Sequence, residues 1–174
     1  MKTSVRRARA DDIDFLVDLF ADEQVEPFLA AVRPRDHESV LALVDRSERE
    51  PEVFGLFVIE VAGEPAGTME FEVVNRRSSI ASIGGLAVHP RFRGRRVGDE
   101  AARLFQRHLL GELGLHRLQL EIYGYNERAI AHAERVGFVR EGVKRQAYRR
   151  GEGWVDGVMY ALLRDDLDRG GPAS

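Results

Sequence analysis

The chain of 174 residues contains no cysteine. That removes a disulfide framework, a thiolate metal site and a cysteine nucleophile together. Also missing is any stretch approaching the roughly 18 consecutive apolar residues that would read as a bilayer-spanning helix. Lys2, Arg6, Arg7 and Arg9 lie near the start with no apolar run behind them, so a secretory leader is not expected and a cytoplasmic location is. Neither sign of charge dominates. Lys and Arg number 26 against 29 Asp and Glu, and the net charge of −3 argues against a general nucleic-acid binder. Gly-Lys-Ser/Thr and Gly-x-Gly-x-x-Gly phosphate loops are absent, as is a Gly-x-Ser-x-Gly nucleophile turn. The histidines, at 37, 89, 108, 116 and 132, are scattered without metal-ligand spacing, so no metal is expected.

Hydrophobic residues make up 44% of the chain, and a chain of this length buries a core without staples. One domain over residues 1–165, followed by a disordered tail over 166–174, is the expectation. Along the chain, Ser4 to Arg9 reads as a strand. Asp11 or Asp12 can cap a helix carrying Ile13, Leu16, Val17 and Phe20 at helical spacing. A second helix is expected from about Asp36 to Arg49. The period then changes: Val53 to Val61, Gly67 to Val74 and Ile80 to Val88 are consecutive strands joined by turns. Val97 to Leu113 is the clearest helix, with Val97, Ala101, Leu104, Phe105, Leu109 and Leu113 as its stripe, and Gly114 ends it. Leu115 to Tyr123 is strand-like, and Asn126 caps a helix through Val136. Phe138 to Arg145 and Trp154 to Leu163 form a final hairpin. Three strands without helices followed by alternation imply an α/β, α+β-like chain with a mixed sheet of six to seven strands and four helices.

The most informative junction is Val88-His89-Pro90-Arg91-Phe92-Arg93-Gly94-Arg95-Arg96-Val97-Gly98. A strand ends, a turn rich in glycine and arginine follows, and the longest helix begins. The first amides of a helix lack internal partners and carry about half a positive charge in aggregate. With glycine permitting close approach, such a turn suits a diphosphate. The other reading of the same residues is a solvated basic loop.

Arg93-Gly94-Arg95-Arg96-Val97-Gly98 resembles the acetyl-CoA pyrophosphate motif, Q/R-x-x-G-x-G/A, of GNAT-type N-acetyltransferases. Asn126-Glu127-Arg128-Ala129-Ile130 and Glu134-Arg135-Val136-Gly137-Phe138 resemble their second signature. Glu141-Gly142, Trp154-Val155-Asp156 and Met159 to Leu163 resemble the subgroup acting on ribosomal-protein N-termini and polyamines. The resemblance implies a mostly antiparallel sheet with one splayed parallel pair, Ile80 to Val88 beside Leu115 to Tyr123. It implies acetyl-CoA as co-substrate, its pantetheine arm on the backbone of Leu86, Ala87 and Val88. The diphosphate would rest on the amides of Arg93, Gly94, Arg95, Arg96, Val97, Gly98 and Asp99, and Asn126 would bond the cofactor or simply cap its helix. The acceptor would be a small-molecule or peptide amine, and a homodimer is a further expectation because family members are often dimers.

Three positions depart from the family pattern. Arg96 stands at the motif's inner glycine. Ala133 stands where a tyrosine often protonates the leaving thiolate, and Ser82 where a glutamate often serves as base. An alkyl amine with a pKa near 10 is almost wholly protonated at neutral pH, so the reaction needs a proton acceptor. Glu70, on the polar face of its strand, is the candidate; Tyr123 and His132 are weaker ones, while Tyr148 and Trp154 flank the last hairpin, where they could line a substrate mouth or simply pack. Direct attack in a ternary complex is expected, with backbone amides polarising the thioester carbonyl. The rival reading, motivated by the missing acid and base, is a CoA-binding sensor or interaction domain.

Overall fold

A computed structural model of the chain describes residues 2–29 and 33–168. The first strand, β1 (Thr3–Arg7), leads through a 3-10 turn into α1 (Ile13–Ala21). Asp12 makes that corner. Its carboxylate accepts the Arg9 amide at 2.8 Å and both terminal nitrogens of Arg6 at 2.7 and 2.9 Å. It therefore braces the chain from within the turn. The next helix, α2 (His37–Arg49), starts where the Asp36 side chain accepts the Ser39 amide at 2.8 Å. Three strands follow, β2 (Phe54–Val61), β3 (Glu64–Asn75) and β4 (Ile80–Val88), the last with the bounds its sequence suggests.

From Val97 the chain winds as α3 (Val97–Gln106) and then, over Arg107–Glu112, in wider π-helical turns. The Leu113 amide reaches back to the His108 carbonyl, and Gly114 closes the segment at φ +70°. The single helix expected over 97–113 is thus an α-helix with a π-helical end. The extra residue per turn rotates the buried stripe, so Leu109 and Leu110 both face inward and are fully buried, while Leu113 is half-buried. The remaining elements are β5 (Arg117–Tyr123), α4 (Glu127–Arg135), β6 (Val139–Arg150), β7 (Gly153–Leu163) and the one-turn α5 (Arg164–Asp168). The strand expected to stop at Arg145 runs to Arg150. Of the disordered tail expected over 166–174, residues 166–168 are instead helical as the end of α5, and 169–174 lie outside the described residues.

The seven strands form one sheet in the order β1-β2-β3-β4-β5-β7-β6, antiparallel throughout except for the β4–β5 pair. Alternation in β2 shows how both faces are covered. Leu56 and Val58 pack with Leu16, Phe20, Val40 and Val44 of α1 and α2; Phe57 and Ile59 pack with Phe105 and Leu109 on the other face. Truncating a buried phenylalanine such as Phe105 would cost about 3–5 kcal/mol. The sheet is therefore a rigid platform between two helical layers, and the parallel pair lies near its middle.

Candidate functional site

The β4–β5 ladder holds only Ile80↔Arg117, Ala81↔Leu118 and Ser82↔Gln119 before the strands part. The cause is local. Between the pairs Thr68↔Ala87 and Glu70↔Gly84, β4 carries one residue more than β3, and Gly85 adopts φ +62°. Such a bulge bends its strand, and a left-handed residue there favours glycine. β4 turns away from β5 and opens a cavity of about 660 Å³. Its walls are Ile83 to Val88 of β4, Leu120 to Ile122 of β5, the first two turns of α3, and α4 from Asn126 to Val136.

At one end of this cavity lies the basic turn. Gly94 has φ +78° and Arg96 φ +58°, so the position where the family motif carries glycine is left-handed, and Arg96 holds that conformation with its side chain exposed. The bond from the Glu100 amide to the Arg96 carbonyl at 3.1 Å opens the helical ladder. The amides of Val97, Gly98 and Asp99 precede it and have no acceptor inside the helix. The arginines are less uniform than their spacing suggests. Arg91 stacks on Phe92 at 4.6 Å and pairs with Glu64 at 3.0 Å. Arg93 turns inward, donating to the Val88 carbonyl at 3.1 Å and to the Gln24 carbonyl at 3.0 Å. Burial, then the nearby Arg128 charge, lowers its pKa. Arg93 is thus a clamp between the α1–α2 loop and the end of β4. Arg128, which borders the same cavity and makes no ion pair among the described residues, was not singled out in the sequence.

Below the turn, α3 and α4 are tied together. The Asp99 carboxylate accepts Arg135 at 2.7 and 2.8 Å and contacts His132 Nδ1 at 2.9 Å. The Arg135 guanidinium, and then His132, hold Asp99 down to a pKa of about 2. Burial lowers His132 in spite of Asp99. Gln106 adds a bond to the Val136 carbonyl at 3.0 Å. Asn126 is buried and caps α4, its Oδ1 accepting the Ala129 amide at 3.1 Å, and it also borders the cavity.

Two carboxylates flank the region where the strands part. Glu70 stands opposite Gly84 and is paired with Arg33 at 2.5 Å; Arg33 is nearly buried, and its Nε has no hydrogen-bond partner among the described residues. This ion pair fits against Gly84 and Gly85, where a Cβ on Gly85 would come within 3.0 Å of the guanidinium. Glu121, on β5, borders the cavity itself and accepts the Tyr148 hydroxyl and the Lys144 ammonium. Burial, then the bond to Glu121, raises Tyr148 to about 12. Gly157 makes room for this cluster, since a Cβ there would lie 2.6 Å from the Tyr148 ring. Tyr123 stacks on Tyr125 and meets Tyr148 edge-on, while Trp154 is exposed. The hydroxyl of Tyr125 and the guanidinium of Arg150 both reach the Pro27 carbonyl, at 2.7 and 3.0 Å, strapping the α1–α2 loop to the β5–α4 loop and to the end of β6. Ser82 is the last residue paired across β4–β5, and Ala133 is buried against the cavity. No group of three or more His, Asp or Glu suited to a metal occurs among the described residues. Glu121 escaped notice because β5 alternates apolar and polar residues, so it reads as a solvent-facing strand glutamate.

A mixed sheet whose one parallel pair parts beside a helix N-terminus is the fold of solved acetyltransferases. The spermidine N-acetyltransferase from Vibrio cholerae in complex with CoA and spermine superposes with a TM-score of 0.84 at 17% identity, covering 94% of this chain and 96% of that one. The ribosomal L7/L12 α-N-protein acetyltransferase RimL in complex with coenzyme A gives 0.83 at 20%, covering 95% and 96%. The model of the acetyltransferase (GNAT) family matches residues 13–138, and the chain belongs to that family and is an N-acetyltransferase. The uncharacterized N-acetyltransferase YokL of Bacillus subtilis is 22% identical over 95% of this chain and 92% of its own length. Spermidine N(1)-acetyltransferase of Escherichia coli is 33% identical over 56% of this chain and 49% of its own. The ribosomal protein bS18-alanine N-acetyltransferase of Salmonella typhimurium is 34% identical over 47% and 55%. The matches to these last two enzymes thus span about half of each. Among the described residues, no helix is long and apolar enough to cross a membrane.

Proposed function

We propose that the chain transfers an acetyl group from acetyl-CoA to a primary amine in a ternary complex. The observation that carries this reading is the shape of the cavity: helix amides without a partner among the described residues at one end, an open strand edge along its wall, and Glu121 on the opposite wall. The residues fit the coenzyme. The amides of Val97, Gly98 and Asp99 suit a diphosphate, with Arg128 adding charge, and the β4 edge at Leu86 to Val88 suits an amide-bearing arm as an added strand would. When bound, acetyl-CoA supplies the thioester acetyl group.

The chain's own task is to manage the proton of an amine that is almost wholly cationic at neutral pH. Glu121 is placed to attract that cation and accept its proton. Tyr148, raised to about 12, keeps its own proton and so remains a donor to Glu121. Both carboxylates have a cationic partner, but Arg33 beside Glu70, the acceptor expected from the sequence, is nearly buried, whereas Lys144 beside Glu121 is exposed, and Glu121 rather than Glu70 lines the cavity; we assign Glu70 the positioning of the bulge. In a thiol-release assay over a panel of polyamines, peptides with free N-termini and small amines, Glu121→Gln is expected to lower kcat about 10²- to 10³-fold. CoA affinity should stay unchanged. The Glu70→Gln variant is expected to lose less, and a larger loss in Glu70→Gln than in Glu121→Gln would reverse the two roles. Spermidine and peptide N-termini head the panel because the similar enzymes act on them.

The second reading, a catalytically weak member of the family that serves chiefly as a CoA-binding sensor or interaction domain, is favoured by Ala133 and Ser82 at positions where the family often carries acid and base. Stabilisation by acetyl-CoA with only trace thiol release over the whole panel would select it. At 100 times its dissociation constant the coenzyme would add about 2.7 kcal/mol.

A further inference from the structure

The bridge between α3 and α4 contains an ionisable ring that acetyl transfer does not use. His132 borders the cavity, and its Cε1 lies 3.6 Å from the position a Cβ on Gly98 would take. Gly98 is the middle one of the three helix residues whose amides lack an internal acceptor. The Cε1–Nδ1 edge of the ring thus lies within ordinary contact range of the glycine in the first turn of the helix.

On its other side the ring is fixed. Nδ1 contacts Asp99 at 2.9 Å, and a carboxylate only accepts, so Nδ1 carries a hydrogen. In the neutral ring Nε2 is then a bare lone pair, and it makes no hydrogen bond among the described residues. The charged groups facing the ring are Asp99 and Arg103 from α3 and Arg135 from its own helix. Val88 of β4 brings only a methyl group close to Gly98.

We propose that His132 is an ionisable ligand of the coenzyme's diphosphate, taking a proton from solvent onto Nε2 when that anion occupies the helix terminus. This rests on the coenzyme reading above. The reason is electrostatic. A bare Nε2 lone pair beside phosphate oxygens would repel them, whereas an imidazolium N–H would donate to them and still satisfy Asp99 through Nδ1. Without the anion, burial holds the ring neutral; the anion supplies the second negative partner that reverses this. By linkage, the affinity for CoA must then weaken as pH rises through the ring's bound-state range, by up to about tenfold per pH unit for one proton.

The test is calorimetric titration with CoA near neutral pH in two buffers of different ionisation heat, which counts the protons taken up. The 3′-phosphate of CoA titrates in the same range, at a pKa of about 6, so His132→Gln supplies the baseline. Wild type is expected to take up close to one proton more than His132→Gln and to lose affinity faster as pH rises. Pantetheine, which lacks the diphosphate, is expected to show no excess uptake. Equal uptake by wild type and variant overturns the proposal while leaving the coenzyme reading intact. No heat with CoA at any pH overturns both. Should His132→Gln fail to fold, the ring resonances of wild type decide alone. They must shift to imidazolium positions on CoA addition at a pH where the apo ring is neutral, and an unchanged ring spectrum refutes the proposal.

Discussion

Arg96 shows how a single residue reports on a site. Its φ of +58° is a conformation that L-residues other than Gly, Asn and Asp visit at a cost of about 1–2 kcal/mol. The family motif places glycine there, and the structure supplies the reason: the chain must turn left-handed to aim the next three amides out of the helix end. Arg96→Gly should therefore stabilise the fold by a net 0.5–1 kcal/mol or about that, the relief being offset by the greater freedom of glycine in the unfolded chain. Arg96→Val should destabilise it, since branching at Cβ worsens the same clash. Urea midpoints at constant m-value would measure both. The sequence marked this turn as an anion site, but not what each arginine does. Arg91, Arg93, Arg95 and Arg96 look alike in the string, yet Arg93 is spent on the Val88 and Gln24 carbonyls and Arg91 on Phe92 and Glu64. Those partners lie up to 69 positions away, beyond any local pattern.

At the scale of elements, the sequence was most readable where one face is buried and a turn residue sets the end. β4 matched at both ends, from Ile80 to Val88. The final turns of α3 did not match, because a π-helical end keeps helical composition while shifting the apolar stripe by one residue, which brings Leu110 inside. The bulge in β4 was likewise hidden: Gly84-Gly85 suggests weakness in a strand without saying which way it bends. Packing across β3 and β4 makes the bend testable. Gly67 pairs with Val88, and a Cβ on it would fall 2.3 Å from the Ala87 carbonyl oxygen, a main-chain atom that cannot swing aside. Gly67→Ala should cost about 1–3 kcal/mol by overpacking and push β4 at the positions assigned to the coenzyme arm. Denaturant unfolding and CoA titration of the same variant should fall together. A variant destabilised to that extent with unchanged CoA affinity would remove Leu86 to Val88 from the binding wall.

The whole molecule is a sheet in two parts, β1–β4 and β5–β7, joined by three parallel pairs, by Gln106 to Val136, and by Asp99 to Arg135 and His132. This joint borders the cavity, so protons and the proposed coenzyme would act on the same contacts. Asp99 is held at about 2 against an ordinary 3.8, and its contribution to stability is complete above the ordinary value and lost as pH falls through the lower one. His132 is held below its ordinary 6.5, and the sign is the same: a ring buried neutral favours the fold above 6.5, and that advantage fades as pH falls through its lowered value. The apo protein should thus weaken in two steps on acidification, the first absent from His132→Gln and the second from Asp99→Asn. Coenzyme reverses the first step, because a bound diphosphate prefers the protonated ring. With CoA at one fixed concentration, the rise in Tm it confers should therefore grow as pH is lowered from about 8 towards 6, although the apo protein begins to lose stability once the pH passes below 6.5. The opposite trends separate a contact that shares its proton with the ligand from one that merely titrates, since in the latter both melting curves would fall in parallel.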